Sequence, residues 1–114
     1  MSYFESYQQT AFFDFPELEF PGVTDIADVH VTNYLSTRHY TLSVTVYDID
    51  ESVVVRLDGS VDGVNFGPMI SNTITEDGTY IYHVSGAPVS LVRGNFLKET
   101  GGVRAVVKFS IAAN

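Results

Sequence analysis

The chain has 114 residues, no cysteine and a formal charge of −8, from 14 Asp and Glu against 6 Lys and Arg. This is the length of one domain, and the lack of cysteine excludes a disulfide framework, a thiolate metal site and a cysteine nucleophile. The acidic balance excludes a phosphate-reading nucleic-acid surface and an anionic membrane, so a basic or neutral protein surface, or a neutral glycan, is the partner such a surface suits.

The first residues, Met1-Ser2-Tyr3-Phe4-Glu5, have no basic stretch followed by an apolar core, so no secretory leader is expected. No run reaches the roughly twenty apolar residues of a membrane span. Synthesis in the cytoplasm is the expectation.

Residues 1–22 hold seven aromatics, Tyr3, Phe4, Tyr7, Phe12, Phe13, Phe15 and Phe20, and no Lys or Arg precedes Arg38. Pro16 and Pro21 push Phe15 and Phe20 into extended backbone, which predicts an extended aromatic-rich acidic arm. Two readings of the arm stand together. Its rings cover an open end of the core as a first strand, or they enter pockets of a partner while the carboxylates meet a basic rim.

Residues 23–114 read as a single β-sandwich domain. A strand is expected over Asp28–Asn33. Tyr40, Leu42, Val44 and Val46 alternate with Thr41, Ser43, Thr45 and Tyr47, which predicts a half-buried strand with a hydroxyl-rich outer face. The turn Asp48–Ser52 leads to a β-branched strand, Val53–Leu57. Asp58-Gly59 reads as a bulge and Asp62-Gly63 as the turn proper, since glycine supplies positive φ.

Phe66 and Met69-Ile70 lie on the returning strand, interrupted by Gly67-Pro68, and Asn72–Ile74 follows. Beyond the Glu76-Asp77-Gly78 turn, Tyr80, Tyr82 and Val84 oppose Thr79, Ile81 and His83. After Ser85–Pro88 a strand over Val89–Leu97 carries Ser90, Val92, Gly94 and Phe96 on one face, and Lys98–Gly102 closes it. The last strand sets Val103, Ala105, Val107, Phe109, Ile111 and Ala113 on one face throughout. Seven or eight short strands without helical periodicity give an all-β, antiparallel two-sheet sandwich of jelly-roll kind with an N-terminal arm.

Few residues carry a chemical signature. Asp58-x-Ser60-x-Asp62-Gly63 matches the start of a calcium-binding loop, but Met69 stands where the bidentate Glu belongs, so a hydrogen-bonded turn is the expectation. His30, His39 and His83 share no metal-ligand spacing, and no serine has the setting of a nucleophile. No catalytic residue, metal or cofactor is expected. Tyr80 and Tyr82 are candidate sugar-stacking rings in a carbohydrate-binding alternative, against packing at the core edge.

The stretch Val55–Phe66, then Ile74–Tyr80, Gly86–Arg93 and Glu99–Gly102 leading into the last strand, resembles a small β-sandwich module of tailed-bacteriophage virion proteins. The resemblance covers roughly residues 40–114. It implies a non-enzymatic structural role: a capsid decoration (cement) protein or, alternatively, a head-fibre, tail or baseplate adhesion module. Its implied partner is the major capsid protein or another virion protein. It implies a place in the virion and a homo-oligomer, with a trimer favoured by the local three-fold positions of capsid lattices.

Overall fold

The computed structural model describes residues 11–29, 39–86 and 89–114. Tyr3, Phe4, Tyr7, His30 and most of the strand expected over Asp28–Asn33 lie outside them. The strands are β1 Ala11–Asp14, β2 Gly22–Val23, β3 Ala27–Asp28, β4 Tyr40–Tyr47, β5 Ser52–Ser60, β6 Gly67–Ile74, β7 Gly78–Val84, β8 Leu91–Thr100 and β9 Val106–Ala113. All pairings are antiparallel.

One sheet has the order β1-β9-β4-β7 and the other β2-β8-β5-β6, with β3 also on β8. With β2 and β3 taken as one interrupted strand, this is the double Greek key of a jelly roll. The expected two-sheet sandwich is therefore the observed fold.

The alternation in the sequence builds the core. Tyr40, Leu42, Val44 and Val46 of β4 and Val107, Phe109, Ile111 and Ala113 of β9 are buried on one sheet. Val53, Val55, Leu57, Val92 and Phe96 face them from the other. The two layers come close together at Gly94, where a Cβ would lie 2.5 Å from Phe109 Cγ. Only a residue without a side chain lets that ring seat between the sheets.

Three expectations at strand ends are corrected. β9 begins at Val106, and Val103 is 80 % exposed. Arg104 bonds Asp50 through Nε and Nη2, and the Ala105 N–H donates to Glu99 Oε2 at 3.0 Å, which holds this segment as a loop. Gly67-Pro68 does not interrupt β6. The strand lies at a sheet edge, where a missing N–H is tolerated. β8 runs on to Thr100 because a bulge skips Leu97, so that Phe96 pairs with Val55 and Lys98 with Val54.

The bulge expected at Asp58-Gly59 lies instead on the partner strand: Leu57 pairs with Ile70 and Asp58 with Pro68, so β6 skips Met69 while β5 runs on regularly against β8. The Asp62-Gly63 turn also forms, with Gly63 at φ 82°.

Candidate functional site

Of the arm residues within the described part, 11–14 form β1 and pair with β9 from Ala11↔Ala113 to Asp14↔Ser110. Alternation along that strand divides the rings. Phe13 shares the inner face with Ile111, and Phe15, 8 % exposed, joins the core after donating its N–H to Phe109 O. Leu18 continues the tie through a bridge to Val107. Phe12 and Phe20 point away from the core, 78 % and 71 % exposed. Phe13 and Phe15, expected among the partner-facing rings, turn towards the core because residues two apart along extended chain share a face and that face is the one Ile111 buries.

The face on which Phe12 stands is the outer surface of the first sheet, and its rows follow from register. Phe12, Ala112, Thr41 and His83 form one row, and Asp14, Ser110, Ser43 and Ile81 the next. Lys108, Thr45 and Thr79 form a third. Directly opposed residues share a face, so these side chains make one flat, hydroxyl-rich surface.

Polar contacts fix it. Thr45 Oγ1 and Thr79 Oγ1 are 2.9 Å apart, and Thr41 Oγ1 lies 3.1 Å from His83 Nδ1. Ser110 Oγ donates to Asp14 Oδ1 at 2.6 Å, and Lys108 Nζ donates to the same oxygen and to Phe15 O. The Lys108 ammonium, then the Ser110 hydroxyl, hold the Asp14 carboxyl below its ordinary range.

A shallow groove of about 310 Å³ opens on this face, lined among others by Phe12, Asp14, Thr41, Ser43 and Ser110. Ser110 bonds Asp14 directly, and His83 lies two strands away, about 10 Å at ordinary strand spacing, so these three do not form a proton relay. The exposed Phe12 ring stands beside this groove, whose surface is mostly apolar.

The tyrosines of the glycan alternative sit elsewhere. Tyr80 and Tyr82 point inward from β7, half-buried against the core, and the Tyr80 hydroxyl donates to Glu76 O at 2.6 Å. Burial raises the Tyr82 phenol above its ordinary range, with the Tyr80 charge adding to it. Their rings do not form an outward stacking platform.

The Asp-rich segment after β5 is structural. Asp62 accepts from the Asn65 and Val64 N–H groups at 2.8 Å, from Asn65 Nδ2 at 2.8 Å and from Ser60 Oγ at 3.0 Å. Those bonds, Asn65 N–H first, hold its carboxyl far below the usual range.

Asp58 is fully buried. It accepts from Arg56 Nε and Asn95 Nδ2, each at 3.0 Å, and lies 3.5 Å from Arg93 Nε. The Arg93 guanidinium stacks 4.2 Å above the Phe66 ring. Among the described residues no group of three or more His, Cys, Asp or Glu is placed to hold a metal ion. No helix among them is long and apolar enough to cross a membrane.

Sequence reasoning missed the Asp58 cluster and the Asp14–Lys108–Ser110 cluster. Arg56-x-Asp58 had a usable signal, since residues two apart on a strand share a face. The other partners are 35 or more positions away in the chain, and only register brings them together.

No protein-family model matches the chain. No curated protein sequence matches it either. Among solved structures, the fold is similar to that of SPBc2 prophage-derived protein YomS, with a TM-score of 0.61 and 11 % sequence identity over 93 % of this chain and 94 % of that one.

Proposed function

We propose that this chain is a non-enzymatic structural protein of a tailed-phage particle, and specifically a capsid decoration protein that binds the outer shell through the outward face of the β1-β9-β4-β7 sheet. The observation that carries the reading is the division of the N-terminal segment. β1 fastens to β9 with Phe13 and Phe15 in the core, which leaves Phe12 free on a flat face beside a groove.

Three further points support it. The neighbour of similar fold along nearly its whole length is a prophage-derived protein. The pattern around Val55–Phe66 resembles virion sandwiches. The chemistry of the face is suited to adhesion, with an exposed ring, hydroxyls, and an acid held in its charged form by Lys108.

The contact is a modest one per subunit, strengthened by the many copies a lattice presents at once. The test is co-sedimentation of the purified chain with shells of the phage that carries its gene, assembled without it. The full chain is expected in the pellet at saturable stoichiometry. Phe12→Lys, with unchanged far-ultraviolet circular dichroism, is expected to lose at least about tenfold in affinity, as a central anchor does. Undiminished binding by Phe12→Lys would move the contact off this face, and no binding by the full chain would reject the decoration role.

A further inference from the structure

The two sheets have four edges, and they are not equally protected. β1 is four residues long. β2 and β3, on the outer side of β8, have two residues each. β6 carries Pro68 and the register shift opposite Leu57 and Asp58. Short strands, proline and bulges are the devices by which proteins keep sheet edges from pairing with other chains.

The remaining edge has none of them. β7, Gly-Thr-Tyr-Ile-Tyr-His-Val, pairs with β4 over seven consecutive residues without a bulge, from Tyr40↔Val84 to Val46↔Gly78. It contains no Lys, Arg, Asp, Glu or Pro. Among the described residues no strand pairs with its other side. At its centre Ile81 is 59 % exposed on the outer face.

We infer that β7 is a self-association edge, on which a second copy of this chain adds its own β7 antiparallel across a two-fold axis. Charge permits that occupant at this edge, and the strand's own symmetry favours it. Two chains of net charge −8 repel one another over most of their surfaces, and β7 is an edge at which no like charges are opposed.

An antiparallel strand is also self-complementary. Pairing centred on Ile81 sets that side chain beside its twin, Thr79 beside His83 of the other copy, and Tyr80 beside Tyr82. The result is one continuous sheet of eight strands in which Ile81 is flanked by its twin on the side now open. A two-fold edge gives a dimer, in place of the trimer that a capsid position alone favours. The inference stands on the edge itself and holds whichever component of a particle the chain binds.

The test uses the full chain. Sedimentation equilibrium is expected to show a monomer–dimer equilibrium, and Ile81→Lys, which opposes two ammonium groups, is expected to raise the dissociation constant at least about tenfold. Because the chain has no cysteine, Ile81→Cys gives a second readout. Directly opposed Cβ atoms lie about 4.5–5.5 Å apart, close enough for a disulfide after a small adjustment.

Mild oxidation is expected to yield a disulfide-linked dimer from Ile81→Cys, and not from Val61→Cys, whose side chain is 73 % exposed on a loop. A wild-type monomer, whether its edge is empty or covered by residues 1–10 of its own chain, would overturn the inference. So would a trimer, or a dimer that Ile81→Lys leaves intact and Ile81→Cys does not cross-link.

Discussion

Phe12→Ala and Phe15→Ala differ by three positions in an aromatic run, and the structure separates them completely. Phe15 is 8 % exposed within the core, whereas Phe12 is 78 % exposed. Truncating a buried phenylalanine removes its transfer free energy and leaves a cavity, together about 3–5 kcal/mol. Removing an exposed ring on a free face stays within about 0.5 kcal/mol.

For a chain of this length the unfolding entropy makes each kcal/mol worth about 4 °C in Tm, so Phe15→Ala is expected to melt about 12–20 °C lower and Phe12→Ala within about 2 °C. Thermal melts followed by circular dichroism check this, and urea unfolding followed by tyrosine fluorescence and circular dichroism gives the same order of stability. Coincident transitions and an unchanged m-value are required before the midpoints are compared. If the two variants were equally stable, or Phe12→Ala the weaker, the placement of β1 against β9 would be wrong.

Other outcomes follow from other parts of the sandwich. Gly94→Ala puts a methyl group into the Phe109 ring and is expected to cost about 1–3 kcal/mol, read as a lower urea midpoint; an unchanged midpoint would mean the sheets can separate there. Asp62 has a folded pKa below its ordinary 3.8, so its contribution is fully present above that pH and is lost as the pH falls through the depressed value. Asp62→Asn is therefore expected to be less stable than wild type at pH 7, with the gap narrowing below pH 4, in acid titrations at fixed salt. Asp50, held low by the Arg104 bonds, titrates with the same sign, and Arg104→Gln is expected to flatten the acid limb in the same way. Asp58→Ala leaves Arg56 and Arg93 without their carboxylate, and a loss of about 1–3 kcal/mol is expected, bounded by the partial exposure of both guanidiniums; thermal melts at pH 7 measure it.

Much of the fold was legible because strand alternation is a local signal. Tyr40–Val46 and Ala105–Ala113 place their apolar faces inward as the two-residue period requires. The glycine turn at Asp62-Gly63 was also legible, since positive φ and an Asx carboxylate are written in adjacent residues. Register was not. Nothing in Asp14 indicates that Ser110 stands opposite with Lys108 two residues along, nor in Asp58 that Arg93 does, because antiparallel partners are set by the topology of the whole sandwich.

The N-terminal segment shows the same limit. Its aromatics and prolines announce extended chain, but the split between Phe13 and Phe15 inside and Phe12 outside depends on where β1 meets β9. Val103 failed for a different reason. Its apolar character continued the β9 pattern, while the Arg104–Asp50 pair and the Glu99–Ala105 bond took the backbone into a loop.

A structural component of a phage particle is present in that particle at a fixed copy number, which makes the abundance of this chain in virions the decisive quantity. Quantitative mass spectrometry of gradient-purified virions is expected to find the chain in a fixed ratio to the major capsid protein, reproducible between preparations and insensitive to further purification. A chain present in the infected-cell lysate but lost from purified virions would rule out a structural place in the particle.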